Sequence, residues 1–157
     1  MLHPKTTVDY LYEDETMSEG LNKFRDCGYT ALPVIDRDGI YVGTVSEGDF
    51  LRIMLENHLY STEAQDDYVI SDLIRTGWNP PLRVTAPMDE LLGQVMEQNF
   101  LPIVDDRGCF AGIITRRDII SWFKKQYEKS KENSSESTAE LTKDDMFKAA
   151  DVQFPTD

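Results

Sequence analysis

The sequence is poor in the residues that build cross-links and metal centres. Its 157 residues include two cysteines and two histidines. Neither type occurs in a Cys-x-x-Cys motif or at the spacing of a zinc site. Two isolated cysteines argue against a disulfide framework and are typical of a protein that works in a reducing compartment. We therefore expect a cytoplasmic protein without a bound metal.

Basic residues are also scarce. The chain has 16 Lys and Arg against 29 Asp and Glu, which gives a formal net charge of −13. A surface this acidic is a poor match for the phosphate backbone of nucleic acids. No apolar run approaches the roughly 18 residues of a membrane span, and the start of the sequence lacks the pattern of a signal peptide. Neither nucleic acid nor membrane is an expected partner.

Sequence motifs of catalysis are missing as well. There is no glycine-rich phosphate loop of the G-x-G-x-x-G or G-x-x-x-x-G-K-S type, and such loops are the usual cradle for nucleotide phosphates in enzymes. The motifs that are present do not assemble a nucleophile with a base. The sequence therefore does not predict an enzyme.

The chain does contain an internal repeat. Residues 32–51 read LPVIDRDGIYVGTVSEGDFL, and residues 101–120 read LPIVDDRGCFAGIITRRDII. The alignment runs without a gap to Met54 and Phe123, and upstream Met17 matches Met88 with two residues fewer in the second copy. Two copies are too few for a solenoid. Two homologous halves packed against each other are the better interpretation.

Each half carries the same local signals. Thr16–Glu19 is a capping box at a helix start, and Gly28 suits a helix end. Two apolar runs then flank a short turn that contains Gly39 or Gly108, a pattern typical of a β-hairpin. A second helix follows. With opening strands near residues 8–12 and 82–84, the predicted fold is α/β (α+β), a tandem of β-α-β-β-α repeats with pseudo-two-fold symmetry.

The predicted boundaries follow from the repeat. Repeat 1 covers residues 2–57, a linker covers 58–68, and repeat 2 covers 69–127, opened by a short helix over 69–75. Residues 128–157 are polar and serine-rich at their start, which is typical of a linker. The pattern from Thr142 onward fits either a short docking helix or a frayed terminus.

A Ser/Thr-x-x-Asp motif ends the hairpin in both repeats, as Ser46–Asp49 and Thr115–Asp118. Both are capping boxes by sequence, and helix capping alone accounts for them without any ligand. The second copy differs by carrying Arg116 and Arg117 between its Thr and Asp. Cations in a first helical turn oppose the helix dipole, whereas free N–H groups beside arginines suit an anion such as phosphate.

Taken in order and twice, these motifs resemble the tandem CBS-domain pair, also called a Bateman module. The resemblance covers roughly residues 2–127. It implies a regulatory protein that binds an adenine nucleotide (AMP, ADP, ATP or cyclic di-AMP) as its ligand in clefts between the repeats, with no other cofactor. The sequences of both copies are also similar to those of small stand-alone bacterial members of the family that bind cyclic di-AMP.

The resemblance also implies which residues bind the ligand. Ribose-binding positions are Ser46, Asp49, Thr115 and Asp118; adenine-lining positions are Tyr29, Thr30, Ala31, Asn99 and Phe100; phosphate-binding candidates are Arg116, Arg117 and Lys5. One cleft is expected to join residues 29–31 and the opening segment to residues 115–118. The other is expected to join residues 99–100 and Arg83 to residues 46–49. Repeat 1 has Glu47 and Gly48 where repeat 2 has arginines, so phosphate is not expected there.

An interaction module that dimerises and scaffolds a partner without a small ligand is the alternative. It has no need of paired arginines at a helix start, which favours the nucleotide-binding hypothesis. In both hypotheses the output runs through an unidentified effector protein.

The resemblance further predicts a homodimer, because members of the family commonly form a disc of four repeats. Light scattering at micromolar concentration is expected to give twice the chain mass of 18.0 kDa. A measured mass equal to that of one chain would rule the dimer out.

Overall fold

The computed structural model describes residues 1–134 and divides the chain into two units, residues 1–119 and 120–157. The first unit contains repeat 1 and the part of repeat 2 up to residue 119. Repeat 1 consists of β2 (Leu11–Tyr12), α1 (Met17–Cys27), β3 (Ala31–Ile35), β4 (Tyr41–Ser46) and α2 (Glu47–Asn57). Repeat 2 consists of β5 (Leu82–Arg83), α4 (Met88–Glu97), β6 (Phe100–Val104), β7 (Phe110–Thr115) and α5 (Arg116–Asn133). The predicted β-α-β-β-α order is confirmed in both.

Four further elements connect or precede the repeats. Strand β1 (His3–Pro4) and a 3-10 turn (Lys5–Thr7) open the chain, and α3 (Thr62–Gln65) and a second 3-10 turn (Ile70–Leu73) lie between the repeats. The second turn stands where a short helix over 69–75 was predicted. Helix α5 continues past the predicted boundary at residue 127. The predicted terminal helix lies outside the described residues. None of the helices in residues 1–134 has the length and apolar character of a membrane span.

The two sheets have the same internal topology. In repeat 1 the order is β2-β3-β4, with β2 parallel and β4 antiparallel to β3. Repeat 2 has the equivalent order β5-β6-β7, and strand β1 adds to it as an antiparallel edge strand beside β7. The first strand of the chain therefore belongs to the sheet of the second repeat.

The local sequence signals explain where the elements begin and turn. Thr16 Oγ1 accepts a hydrogen bond from Glu19 N, and Thr16 N donates to the Glu19 carboxylate, so α1 starts at the predicted capping box. The helix ends at Gly28, whose φ of 71° lies in the left-handed region that glycine tolerates. Pro87 lies at the cap position, one residue before α4.

The two hairpin turns join the repeats. Asp36 accepts hydrogen bonds from the backbone N–H groups of its own turn, and Asp105 does the same in repeat 2. The turns then bond to each other, because Tyr41 N donates to the Gly108 carbonyl and Phe110 N donates to the Gly39 carbonyl. The Asp and Gly shared by the two sequence copies thus build one symmetric contact.

Each repeat has its own apolar core. In repeat 1 the core includes Met17, Phe24 and Phe50, with the two aromatic rings edge to face at 5.2 Å. In repeat 2 the core forms around Leu101, Ile103 and Ile119. The methionines differ in burial, since Met17 is fully buried and Met96 is 79% exposed.

Two glycines let the segment before each repeat cross onto the sheet of the other repeat. Gly112 lies opposite Pro4, and a Cβ on it would collide with the His3 carbonyl. At the aligned position in repeat 1, a Cβ on Gly43 would collide with Ile74. Glycine inside a strand marks such close approaches. These crossings carry residues 3–9 and 74–79 to the interface between the repeats.

Replacing Gly112 with alanine tests the crossing. The residue has a φ of 152° and no room for a Cβ, so the substitution is expected to lower the free energy of unfolding by about 1–3 kcal/mol. Chemical denaturation measures the change.

The matched control is Gly93→Ala in α4, where a Cβ meets no atom within 4 Å. It is expected to raise the free energy of unfolding by up to about 1 kcal/mol, as alanine does in helix interiors. Equal stabilities of Gly112→Ala and the native chain would contradict the crossing.

Candidate functional site

A cavity of about 200 Å³ lies where the first strands of the two sheet hairpins begin. The opening segment, the segment before β5 and the end of β7 complete its wall. The lining residues are Val8, Asp9, Tyr29, Thr30, Ala31, Leu32, Pro33, Trp78, Asn79, Gln98, Asn99, Phe100, Ile113 and Thr115. A mostly apolar wall with a few polar groups is typical of small-ligand sites.

All five predicted adenine-lining residues surround this one cavity. The sequence analysis divided them between two clefts, with residues 29–31 in one and residues 99–100 in the other. The structure places both sets together. The reason is the pseudo-two-fold symmetry: β3 and β6 start at the same end of the interface, so the residues before them meet.

The repeat 2 motif begins in the cavity wall, because Thr115 lines the cavity, and residues 116–118 follow it outside the lining. Asp118 Oδ2 accepts hydrogen bonds from Thr115 N at 2.8 Å and from Thr115 Oγ1 at 2.5 Å. Asp118 N donates to Thr115 Oγ1 at 3.1 Å, which completes a capping box. Among residues 1–134, Oδ1 of Asp118 has no hydrogen-bond donor. Capping therefore leaves one carboxylate oxygen available to a ligand.

His3 is the third partner of this carboxylate. Its Nε2 lies 2.8 Å from Asp118 Oδ2. Sequence spacing indicated no partner for either histidine, but the His3 side chain, which is 48% exposed, contacts the predicted ribose-binding aspartate. Because β1 pairs with β7, a residue 115 positions away reaches the site. The one sequence clue was Gly112, a glycine inside a strand.

The surroundings of Asp118 keep it ionised. Burial alone would raise the pKa of its carboxyl group, but the hydrogen bonds from Thr115 and the His3 side chain outweigh burial and hold the pKa below its usual value. At neutral pH the group is therefore a carboxylate that only accepts hydrogen bonds.

The repeat 1 motif forms the same cap but has different neighbours. Asp49 Oδ2 accepts from Ser46 N at 2.8 Å and from Ser46 Oγ at 2.9 Å. Its Oδ1 lies 2.8 Å from Arg75 Nε and 3.2 Å from a terminal nitrogen of Arg52. Asp49 is only 3% exposed, and neither Ser46 nor Asp49 lines the cavity. The Ser46–Asp49 motif therefore lies outside this cavity, and the second cleft stays a prediction.

Arg83, assigned to that second cleft, lies elsewhere. Its side chain is 67% exposed and lies 4.0 Å from the Asp106 carboxylate in the repeat 2 hairpin turn. An exposed pair at this distance contributes little to stability.

The predicted phosphate ligands have three different environments. Arg116 donates to the carbonyls of Val95 at 2.9 Å, Gln98 at 3.2 Å and Met96 at 3.4 Å. It therefore caps the end of α4, where a cation is favoured by the helix dipole. Lys5 lies 5.5 Å from the centre of the Tyr10 ring and does not line the cavity.

Arg117, the third predicted phosphate ligand, differs from Arg116 and Lys5. It is exposed, and within residues 1–134 it has neither an ion-pair nor a hydrogen-bond partner. It lies in the first turn of α5, next to Asp118, where backbone N–H groups of a helix start are directed outward. A single free cation thus accompanies the free carboxylate oxygen.

Asn79 is a lining residue that the sequence analysis missed. It is 1% exposed, with a φ of 52°. Its carbonyl accepts from the Tyr41 hydroxyl at 2.7 Å, and its side-chain amide donates to Thr44 Oγ1 at 3.2 Å. Burial raises the pKa of Tyr41, so the phenol stays a donor. This network fixes the segment before β5 in the cavity wall, beside Trp78.

Comparisons with known proteins identify relatives of both halves. The CBS domain matches residues 3–56 and 70–125. The A-adding tRNA nucleotidyltransferase of Aquifex aeolicus is 30% identical over 119 residues, which are 76% of this chain but 14% of the enzyme. Cyclic di-AMP receptor B of Bacillus subtilis is 26% identical over 93 residues, 59% of this chain and 63% of the receptor. The chain thus spans less than two thirds of either curated relative.

The fold also matches a solved structure. The crystal structure of CbpB in complex with c-di-AMP superimposes with a TM-score of 0.76 at 22% identity, covering 84% of this chain and 87% of CbpB. This likeness supports the paired α/β architecture.

The lowered pKa of Asp118 predicts an acid-dependent contribution to stability. Asp118→Ala is expected to cost about 1–2 kcal/mol at neutral pH, because it removes the capping and His3 hydrogen bonds. The cost is fully present above the ordinary aspartate pKa of about 3.9. It falls as the pH drops through the lower pKa of the folded state.

Denaturation of both proteins from pH 7 down to pH 3 measures this difference. Asp106→Ala is the control, since that side chain is 88% exposed, and it is expected to change stability little at any pH. A cost for Asp118→Ala that stays constant into the acid range would contradict the assignment.

Proposed function

The chain belongs to the CBS-domain family, with one domain in each repeat, and from this premise we propose that it is a regulatory module that binds an adenine nucleotide between its repeats. The observation that carries the proposal is the combination of an apolar cavity with a free carboxylate oxygen and a free arginine at residues 115–118. Binding of this kind supplies a signal rather than a reaction.

The cavity fits the base. The side chains of Tyr29 and Phe100 offer aromatic surface, and the apolar side chains of Val8 and Ile113 cover the remaining wall. A purine is flat and stacks on such groups. The amide side chain of Asn99 and the hydroxyl group of Thr30 are the polar groups that would select the edge of the base.

The motif at the end of β7 fits the sugar. Ribose hydroxyl groups are donors, and Asp118 Oδ1 is an ionised acceptor with no donor among residues 1–134. Hydrogen bonds to a charged acceptor are the stronger class. Thr115 lines the cavity directly and donates hydrogen bonds to the other oxygen, Oδ2, of the same carboxylate.

The start of α5 fits one phosphate charge. Arg117 and the helix start together form a small cationic region on a chain of net charge −13. Arg116 is occupied by the carbonyls at the end of α4, so it positions the site rather than binding phosphate. A phosphodiester has one charge per adenosine and matches one cation better than a triphosphate does.

Cyclic di-AMP is therefore the first candidate ligand and AMP the second. Two relatives support the order, since one is a cyclic di-AMP receptor and another was crystallised with c-di-AMP. The enzyme relative does not favour catalysis here, because the shared stretch is 14% of its length.

The scaffold hypothesis also has an observation in its favour. Leu51 and Leu55 on α2 are 58% and 55% exposed, and exposed apolar side chains on one helix are typical of association surfaces. Dimerisation and nucleotide binding are compatible, and the homodimer stays a prediction. The two hypotheses differ in their response to nucleotides.

A nucleotide panel tests the proposed function. At about 100 times its dissociation constant a ligand adds about 2.7 kcal/mol to the free energy of unfolding. For a chain of this size that raises the melting midpoint by about 5–10 °C. Cyclic di-AMP and AMP are expected to give this shift, with adenosine weaker. If adenosine, AMP, ATP and cyclic di-AMP all leave the midpoint unchanged at millimolar concentration, the proposal fails and the scaffold hypothesis gains.

Three variants then separate the roles within the site. Asp118→Ala is expected to weaken adenosine and AMP alike by tenfold or more, because it removes a charged acceptor. Arg117→Ala is expected to leave adenosine unchanged and to remove most of the preference for AMP. Arg116→Ala is expected to lower stability instead, since it uncaps α4.

Isothermal titration calorimetry with adenosine and AMP measures these differences. If Arg117→Ala bound AMP as the native chain does, while Arg116→Ala, still folded, lost the phosphate preference, the two arginines would have been assigned the wrong way round.

A further inference from the structure

We propose that Arg75 occupies the ligand-binding position at Asp49, the repeat 1 aspartate, by forming an ion pair with it. This ion pair would restrict the protein to one nucleotide per chain. The inference rests on the proposed function and specifies its stoichiometry. It also identifies the residue that makes two similar repeats behave differently.

The two aspartates differ most at Oδ1; at Oδ2, Arg75 lies 3.5 Å from Asp49 and His3 lies 2.8 Å from Asp118. In both motifs Oδ2 accepts the capping hydrogen bonds from the Ser or Thr. In repeat 2 the other oxygen, Oδ1, has no donor among residues 1–134. In repeat 1, Oδ1 lies 2.8 Å from Arg75 Nε and 3.2 Å from Arg52. Arg75 thus contacts Oδ1 of Asp49. The equivalent oxygen in repeat 2, Oδ1 of Asp118, is the one to which a ribose hydroxyl group would donate.

Arg75 is firmly anchored on its other side. Its guanidinium lies 3.7 Å from the centre of the Trp78 ring, and Trp78 in turn lines the cavity. The preceding residue, Ile74, packs into the space left by Gly43. Stacking and a carboxylate together hold a planar guanidinium in one orientation. The contact is therefore built into the crossing segment rather than made by a loose surface side chain.

Burial makes this contact hard to displace. The Asp49 side chain is 3% exposed, against 23% for Asp118. A nucleotide that displaced Arg75 would leave the carboxylate with one cation fewer in a site with little water, which is unfavourable for a buried charge. At Asp118 a nucleotide meets an Oδ1 that has no donor among residues 1–134.

The crossing segments supply a nitrogen donor to the aspartate in both repeats. His3 comes from the segment before repeat 1 and contacts Asp118, while Arg75 comes from the segment before repeat 2 and contacts Asp49. The Arg75 guanidinium stays charged throughout the physiological pH range, so its ion pair with Asp49 persists across that range. The repeat 1 site is thus closed permanently, and the repeat 2 site remains open.

Calorimetric titration with AMP, with the number of bound equivalents as the readout, tests the inference. The native chain is expected to bind one AMP per chain. Arg75→Ala is expected to bind a second AMP more weakly, and the double variant Arg75→Ala/Asp49→Asn is expected to lose that second event and keep the first. Arg25→Ala is the matched control, because both side chains of the Arg25–Asp26 ion pair are 73% exposed. This variant is expected to bind one AMP per chain, as the native chain does.

Each outcome decides the matter. Two equivalents on the native chain, or one equivalent on a folded Arg75→Ala variant, would overturn the inference, whereas no binding to the native chain would instead overturn the proposed function. If Arg75→Ala does not fold, the AMP affinity of the single variant Asp49→Asn tests the inference. An affinity within twofold of the native value supports a closed repeat 1 site, and a tenfold loss overturns the inference.

Discussion

The pairing of β1 with β7 is the contact on which the candidate site depends. Two residues of the opening segment, His3 and Pro4, form a strand on the far repeat because Gly112 lets the two backbones approach. This pairing brings the His3 side chain to Asp118 and leads the chain on to Val8 in the cavity wall. Without it the cavity would lack one wall and the carboxylate would lack one partner. A contact of two residues therefore links both repeats into one binding unit.

The same crossing, made twice with different residues, gives the protein its asymmetry. The segment before repeat 2 mirrors the opening segment but presents Arg75 to Asp49, with Trp78 as its platform. In our proposal one crossing closes a site and the other leaves a site open. Duplication supplies the symmetric frame, including the paired hairpin turns at Gly39 and Gly108. Function then follows from the side chains that differ between two otherwise equivalent positions.

Much of the frame was predictable because its signals are local. Capping boxes, turn glycines and alternating apolar runs lie within a few residues of what they determine, so the two β-α-β-β-α repeats followed from the sequence. The site was predictable in part. Residues 29–31, residues 99–100 and Thr115 do line a cavity, although as one cavity rather than two. These positions precede or end strands, and strand ends are set by the local pattern.

What could not be predicted depends on contacts between distant residues. The contacts of His3 with Asp118 and of Arg75 with Asp49 join residues from opposite repeats, and no spacing rule encodes them. Arg116 was misleading for the same reason. A cation in a first helical turn suggests an anion, but the end of another helix, at Val95, satisfies it. The local sequence context of these residues was interpreted correctly, but their contacts are made by residues that are distant in the sequence.

A crystal structure of the complex with cyclic di-AMP or AMP tests the central claim most directly. We predict that the adenine lies in the cavity between Tyr29 and Phe100. A ribose hydroxyl group is expected within hydrogen-bond distance of Asp118 Oδ1, and the ion pair of Arg75 with Asp49 is expected to remain. A nucleotide seated on residues 46–49 with Arg75 displaced, and the cleft at Thr115 empty, would contradict the central claim.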